Sequence, residues 1–146
     1  MPGFTPNEGE AFLGRYVYQR DLADRDATLE LGLFTNVAPD ETITEVAITE
    51  PTGGGYARKV LTDASWTGPA DVWTYAQQTF TAGAGGYTGD VQGWFIATVS
   101  AGGTQRCLHI EVDTNGPYTM GEDSTYSINL SNTCLLYTSP SPRDRS

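Results

Sequence analysis

Histidine, cysteine and basic residues are scarce in this chain. Among 146 residues there is one histidine, His109, and there are two cysteines, Cys107 and Cys134. A structural zinc site cannot be assembled from so few ligands. A disulfide-framed secreted domain carries more cysteines than this. Lysine and arginine total 8 against 18 aspartates and glutamates, giving a formal net charge of −10. Nucleic acid is excluded as a partner, because no basic footprint exists to displace counterions from phosphates. An anionic membrane surface repels the same charge, and no stretch approaches the ~18 apolar residues of a membrane span. The opening Met1-Pro2-Gly3-Phe4-Thr5-Pro6 lacks the basic region and the apolar run of a signal peptide, so synthesis in a cytoplasm is expected. The acidity reads as solubility and mutual repulsion between free copies.

Glycine is plentiful, at 17 residues, and aromatics make up 11% of the chain. That mix fits many short strands joined by turns. Residues 1–20 read as an N-terminal arm with a short amphipathic helix. Asn7 is a good N-cap with Glu10 three residues on, and Phe12, Leu13, Tyr16 and Val17 recur at helical spacing. The helix is expected from about Glu8 to Tyr18 or Gln19, followed by a solvated Asp21–Asp26 loop.

From residue 21 to 133 the pattern is that of an all-β domain. Leu29, Leu31 and Leu33 alternate cleanly within Thr28–Phe34. Thr44–Thr49, with Val46 and Ile48 on one face, and Tyr56–Leu61, with Tyr56, Arg58 and Val60 on one face, read as strands around a Pro-Gly break. Val72–Ala76 and Gln78–Thr81 are two short candidates. Val91–Val99 places Val91, Gly93, Phe95, Ala97 and Val99 together, and Thr104–Val112 does the same for Leu108, Ile110 and Val112. Thr125–Leu130 turns Tyr126, Ile128 and Leu130 inward. About seven to nine short strands at this spacing predict a single antiparallel β-sandwich, jelly-roll-like or immunoglobulin-like.

After Asn132 the pattern stops. Residues 134–146 carry two prolines in a serine-rich run and resemble translated adapter read-through at the end of a metagenomic reading frame. The alternative is a natural disordered Ser/Pro tail. On the first reading the natural chain continues past Thr133.

Chemistry-bearing constellations are few. Cys107 and His109, two apart in a strand, are expected on one face about 7 Å apart at Cα, too far for an easy thiolate–imidazole contact. A solvent-facing or interface histidine is the expected role, with a cysteine hydrolase as the enzymatic rival. Asp113-Thr114-Asn115-Gly116 starts like a calcium loop but has Ser124, not Glu, at the twelfth position. Gly53-Gly54-Gly55 and Gly83-Ala84-Gly85-Gly86 precede no Lys-Ser/Thr and read as turns. Trp66, Trp73 and Trp94 are candidate surface-binding aromatics for a carbohydrate platform, against packing as core. The expectation is a non-enzymatic protein with no cofactor, no metal and no small-molecule substrate.

Several short motifs stand in a telling order. They are Leu31-Gly32-Leu33-Phe34-Thr35-Asn36, Thr49-Glu50-Pro51, Gly55-Tyr56-Ala57, Trp66 ahead of Phe80, Gly93-Trp94-Phe95 and Gly116-Pro117-Tyr118. In this order they resemble a widespread group of small virion structural proteins of tailed bacteriophages, over about Asn7 to Leu130. The resemblance implies a β-sandwich in the phage particle, decorating the capsid or forming part of the head–tail region, tail or fibre. Its implied partners are other virion proteins and further copies in a homo-oligomer. Phe12, Leu13, Tyr16 and Val17 are the candidate assembly contacts. The rival reading is a carbohydrate- or host-surface-binding β-sandwich module.

Overall fold

The structure, a computed structural model, describes residues 3–14, 28–62, 65–67, 72–99 and 105–133. Among the described residues seven strands and one α-helix run in the order β1 (Gly3–Phe4), α1 (Asn7–Gly14), β2 (Thr28–Phe34), β3 (Lys59–Leu61), β4 (Val72–Thr81), β5 (Gly93–Val99), β6 (Gln105–Val112) and β7 (Thr125–Thr133). A five-stranded antiparallel sheet has the order β1-β6-β5-β2-β3, and β4 and β7 form a separate two-stranded antiparallel ribbon. The fold is all-β, with the ribbon packed on one face of the larger sheet.

The alternation of β2 explains why that sheet buries both faces. Leu31 and Leu33 point toward the ribbon and meet Leu61, Ile96, Phe80, Ile128 and Leu130 in one core. Phe34 points the other way and meets Phe95, Ala97, Cys107 and Ile110 in a second core. Removing each such phenylalanine or leucine from water contributes about 1.5–3 kcal/mol. Ile43 and Ile48, from the segment after β2, pack on the second core, and α1 lies on β6 beside it. A Cβ at Gly9 would stand 2.5 Å from the Cys107 carbonyl oxygen, so only glycine lets the helix approach this closely.

Several expected boundaries shift. The Glu10 N–H donates to the Pro6 carbonyl at 3.0 Å, so the helix cap falls on Pro6, one residue before Asn7. Thr44–Thr49 is no strand: Glu45–Ala47 forms a 3-10 turn, and Val46 is 88% exposed. The Asn36 side chain explains this, accepting the Thr49 N–H at 2.7 Å and donating to the Ala47 carbonyl at 3.1 Å. Those bonds stand where a strand partner would be. The two short candidates at 72–81 are one strand, with a bulge at Ala76–Gln77 where the register with β7 slips. Val91 precedes β5, bridges to Tyr118 and joins the core opposite to that of Phe95. The 15–27, 100–104 and 134–146 segments lie outside the described residues.

Candidate functional site

The one local pairing of nucleophile and base is taken apart by a bulge. Ile96 pairs with His109 and Ala97 with Cys107, so Leu108 is an extra residue in β6. Cys107 therefore faces the second core with Ile110, and His109 faces the other way, against Trp94 with ring centroids 5.2 Å apart. The expected common face is corrected: an inserted residue reverses the alternation. The Cys107 thiol is fully buried and donates to the His109 carbonyl at 3.5 Å. Burial, and then the nearby Glu8 carboxylate, pushes its pKa up to about 12. Such a thiol is a packing group rather than a nucleophile.

A polar cluster holds residues 35–58, a lid whose Ile43 and Ile48 cover the second core. Arg58 donates through Nη2 to Glu45 at 2.6 Å and to Glu50 at 2.8 Å, and its guanidinium lies 5.0 Å from the Phe95 ring centroid. Its Nη1 stands 3.5 Å from Glu30 Oε1. Burial works against this charge, but the hydrogen bonds to Glu50 and Glu45 outweigh it and hold the pKa above its ordinary value. Tyr56 donates to Glu50 Oε1 at 2.6 Å and accepts the Leu33 N–H at 2.9 Å, a backbone group that lies past the end of β3. Every member is paired, and the arrangement clamps residues 35–58 to the sheet.

The calcium-like segment is a turn. Asp113 Oδ1 accepts the Asn115 N–H at 2.9 Å, and Oδ2 accepts the Tyr126 hydroxyl at 2.9 Å. Among the described residues no group of three or more His, Cys, Asp or Glu side chains could hold a metal ion.

Trp66 and Trp94 are half-buried against the first core, and Trp66 meets Tyr75 edge-on at 5.1 Å. The Trp73 side chain lies outside the described residues. So do the side chains of Phe12 and Leu13, and the whole of Tyr16 and Val17.

The outward face of the ribbon is a surface the sequence reading passed over. Neither β4 nor β7 contains an Asp, Glu, Lys, Arg or His. Thr74, Thr79 and Thr81 on β4, with Ser127, Asn129 and Ser131 on β7, are exposed. They pair across the ribbon, Thr79 Oγ1 with Ser127 Oγ at 2.8 Å and Gln77 Nε2 with Asn129 Oδ1 at 3.1 Å. The ordered result is a hydroxyl and amide surface without charge on a chain of net charge −10. The signal was present: two long runs without a charge in a chain that is 18% charged.

The molecule is thus an all-β sandwich with a clamped lid on one side and an uncharged ribbon on the other. No family model, curated protein or solved structure matches the chain. No helix among the described residues is long and apolar enough to cross a membrane.

Proposed function

We propose that this protein is a non-enzymatic structural component of a bacteriophage particle, in the capsid-decoration, head–tail or tail/fibre class, acting through protein–protein contacts. The observation that carries the contact role is the uncharged ribbon face. A strongly acidic chain repels its own copies and other acidic proteins wherever its charges lie. Residues 72–81 and 125–133 carry none, and they offer groups that both donate and accept hydrogen bonds.

The assignment to a virion rests on the ordered motifs. Four of their residues, Gly32, Glu50, Pro51 and Tyr56, occupy tightly packed or paired points of the fold. Gly32 lies beneath the Phe95 ring, Glu50 joins Tyr56 to Arg58, and Pro51 is buried. Motif residues that hold the fold together in this way are what a common architecture would require, and that supports the reading.

Mass spectrometry of density-banded phage particles from the source material tests the reading. The tryptic peptide Asp26–Arg58 is expected in the particle band at structural abundance. Its recovery only from the unbanded protein fraction sinks the assignment.

A further inference from the structure

We propose that the outer edge of β7 is a self-pairing surface, on which β7 of a second copy adds antiparallel to form a continuous four-stranded β4-β7-β7-β4 sheet across a two-fold axis. The inference rests on the assembly reading above and names its first partner.

Among the described residues the ladder bonds of β7 run to β4 alone, and nothing pairs with its other edge. An open edge is a template for another strand, and natural sheets normally blunt it. The other edges here are blunted. β1 is two residues long, with Pro6 close behind it. β3 is three residues long and carries Lys59 directly after Arg58. The far side of β4 is met at Thr74 by a bridge from Thr67, and β4 holds the bulge. β7 has none of these devices: nine residues, no proline, no charge.

The chemistry of β7 favours a copy of itself. Antiparallel pairing centred on Asn129 sets Asn129 opposite its own equivalent, and an amide both donates and accepts. Ser127 then faces Ser131 of the second copy, hydroxyl to hydroxyl. On the inner face Ile128 meets Leu130, so each core extends into the other. Every pair in this register joins residues of the same face. Two copies of net charge −10 repel at most orientations, and this approach keeps ionised side chains off the joining strands.

Space for the added strand exists beside the start of β7. An open cleft of about 420 Å³ is bordered by Asp113, whose carboxylate is held by the Tyr126 hydroxyl, by Tyr118–Met120 and by Ser124, Thr125, Tyr126 and Ser127. Successive residues of alternating orientation can all border one cleft only along the edge of a strand. No β4 residue lines it, so it opens on the unpaired side. The C-terminal end of the second β7 would run past this point.

The full chain with Cys134→Ser is the test protein. Light scattering behind a sizing column, over a range of concentrations, is expected to show a dimer. Asn129→Lys opposes two like charges at the axis and is expected to raise the dimer dissociation constant about a hundredfold. Val46→Lys, on the exposed lid, leaves it unchanged. Under mild oxidation Asn129→Cys is expected to cross-link as a dimer, while Ser127→Cys does so only when combined with Ser131→Cys. A mass that stays monomeric at every concentration overturns the pairing. A dimer that Asn129→Cys fails to cross-link overturns it equally, even if Asn129→Lys should disturb folding. Neither result touches the particle assignment, which the peptides of the banded particles decide separately.

Discussion

Glu8 and Cys107 lie 99 positions apart in sequence, and Glu8 Oε2 accepts the Cys107 backbone N–H at 2.6 Å. The same oxygen accepts the Glu45 N–H at 2.7 Å. One carboxylate on α1 thus joins the bulged part of β6 to the 3-10 turn of the lid. β1 stops short of this point, since Phe4 pairs with Ile110. A side chain supplies the acceptor that a longer strand would have supplied.

Glu8→Ala leaves both N–H groups without that acceptor. A loss of about 2–3 kcal/mol is expected, because covered donors without partners are costly. Urea unfolding with an unchanged slope measures it. Glu8→Gln keeps a carbonyl oxygen in place and is expected to lose less than half as much. Equal losses for the two variants would show that the bonds to this oxygen are not what matters.

Arg58 contacts Glu30, Glu45 and Glu50 together. Arg58→Met leaves these carboxylates facing one another and is expected to cost about 3–5 kcal/mol. Adding Glu45→Gln removes part of the repulsion, so the double variant is expected to be more stable than Arg58→Met alone. A double-mutant cycle reads the coupling directly.

Gly32 is set by packing rather than by turn geometry. A Cβ there would come 2.6 Å from Phe95 Cζ and 3.1 Å from the Tyr56 hydroxyl. Gly32→Ala is expected to cost about 1–3 kcal/mol through overpacking. Phe95→Leu in the same chain recovers part of the loss if the ring is the obstacle, which thermal unfolding of the three variants checks.

The folded chain holds protons that the unfolded chain gives up in alkali. Burial pushes the Cys107 thiol up to about 12. Burial, then hydrogen bonds to Glu50 and Asp113, raise the Tyr56 and Tyr126 hydroxyls above their ordinary value. The unfolded groups titrate at about 8.5 and 10. Stability is therefore full below about pH 8 and falls as pH rises toward 12. A urea midpoint that stays level over that range contradicts the assignment. With Cys134→Ser, a thiol reagent at pH 8 is expected to modify nothing until urea unfolds the chain, then one group.

What could be read from the chain followed local regularity. Leu29, Leu31 and Leu33 announce β2 because period two is a property of neighbours in sequence. Tyr126, Ile128 and Leu130 do the same for β7. The lid could not be read this way, since its shape depends on Asn36, Arg58 and Glu8 reaching far along the chain. The bulge at Leu108 was equally hidden: an inserted residue carries no composition of its own, yet it reverses the faces of Cys107 and His109. The lack of charge in β4 and β7 was visible, but it gained meaning only once β7 stood at an open edge.

Tyr56 reaches both interiors of the sandwich. Its ring stacks on Phe80 at 6.0 Å and meets Tyr87 edge-on at 5.5 Å, while its hydroxyl belongs to the Glu50–Arg58 clamp on the opposite face. Loosening either side therefore pulls on the other. Among the described residues the lid and the ribbon share no backbone ladder, yet this side chain couples them, so amide protons in the two regions should exchange in a single cooperative opening rather than in two.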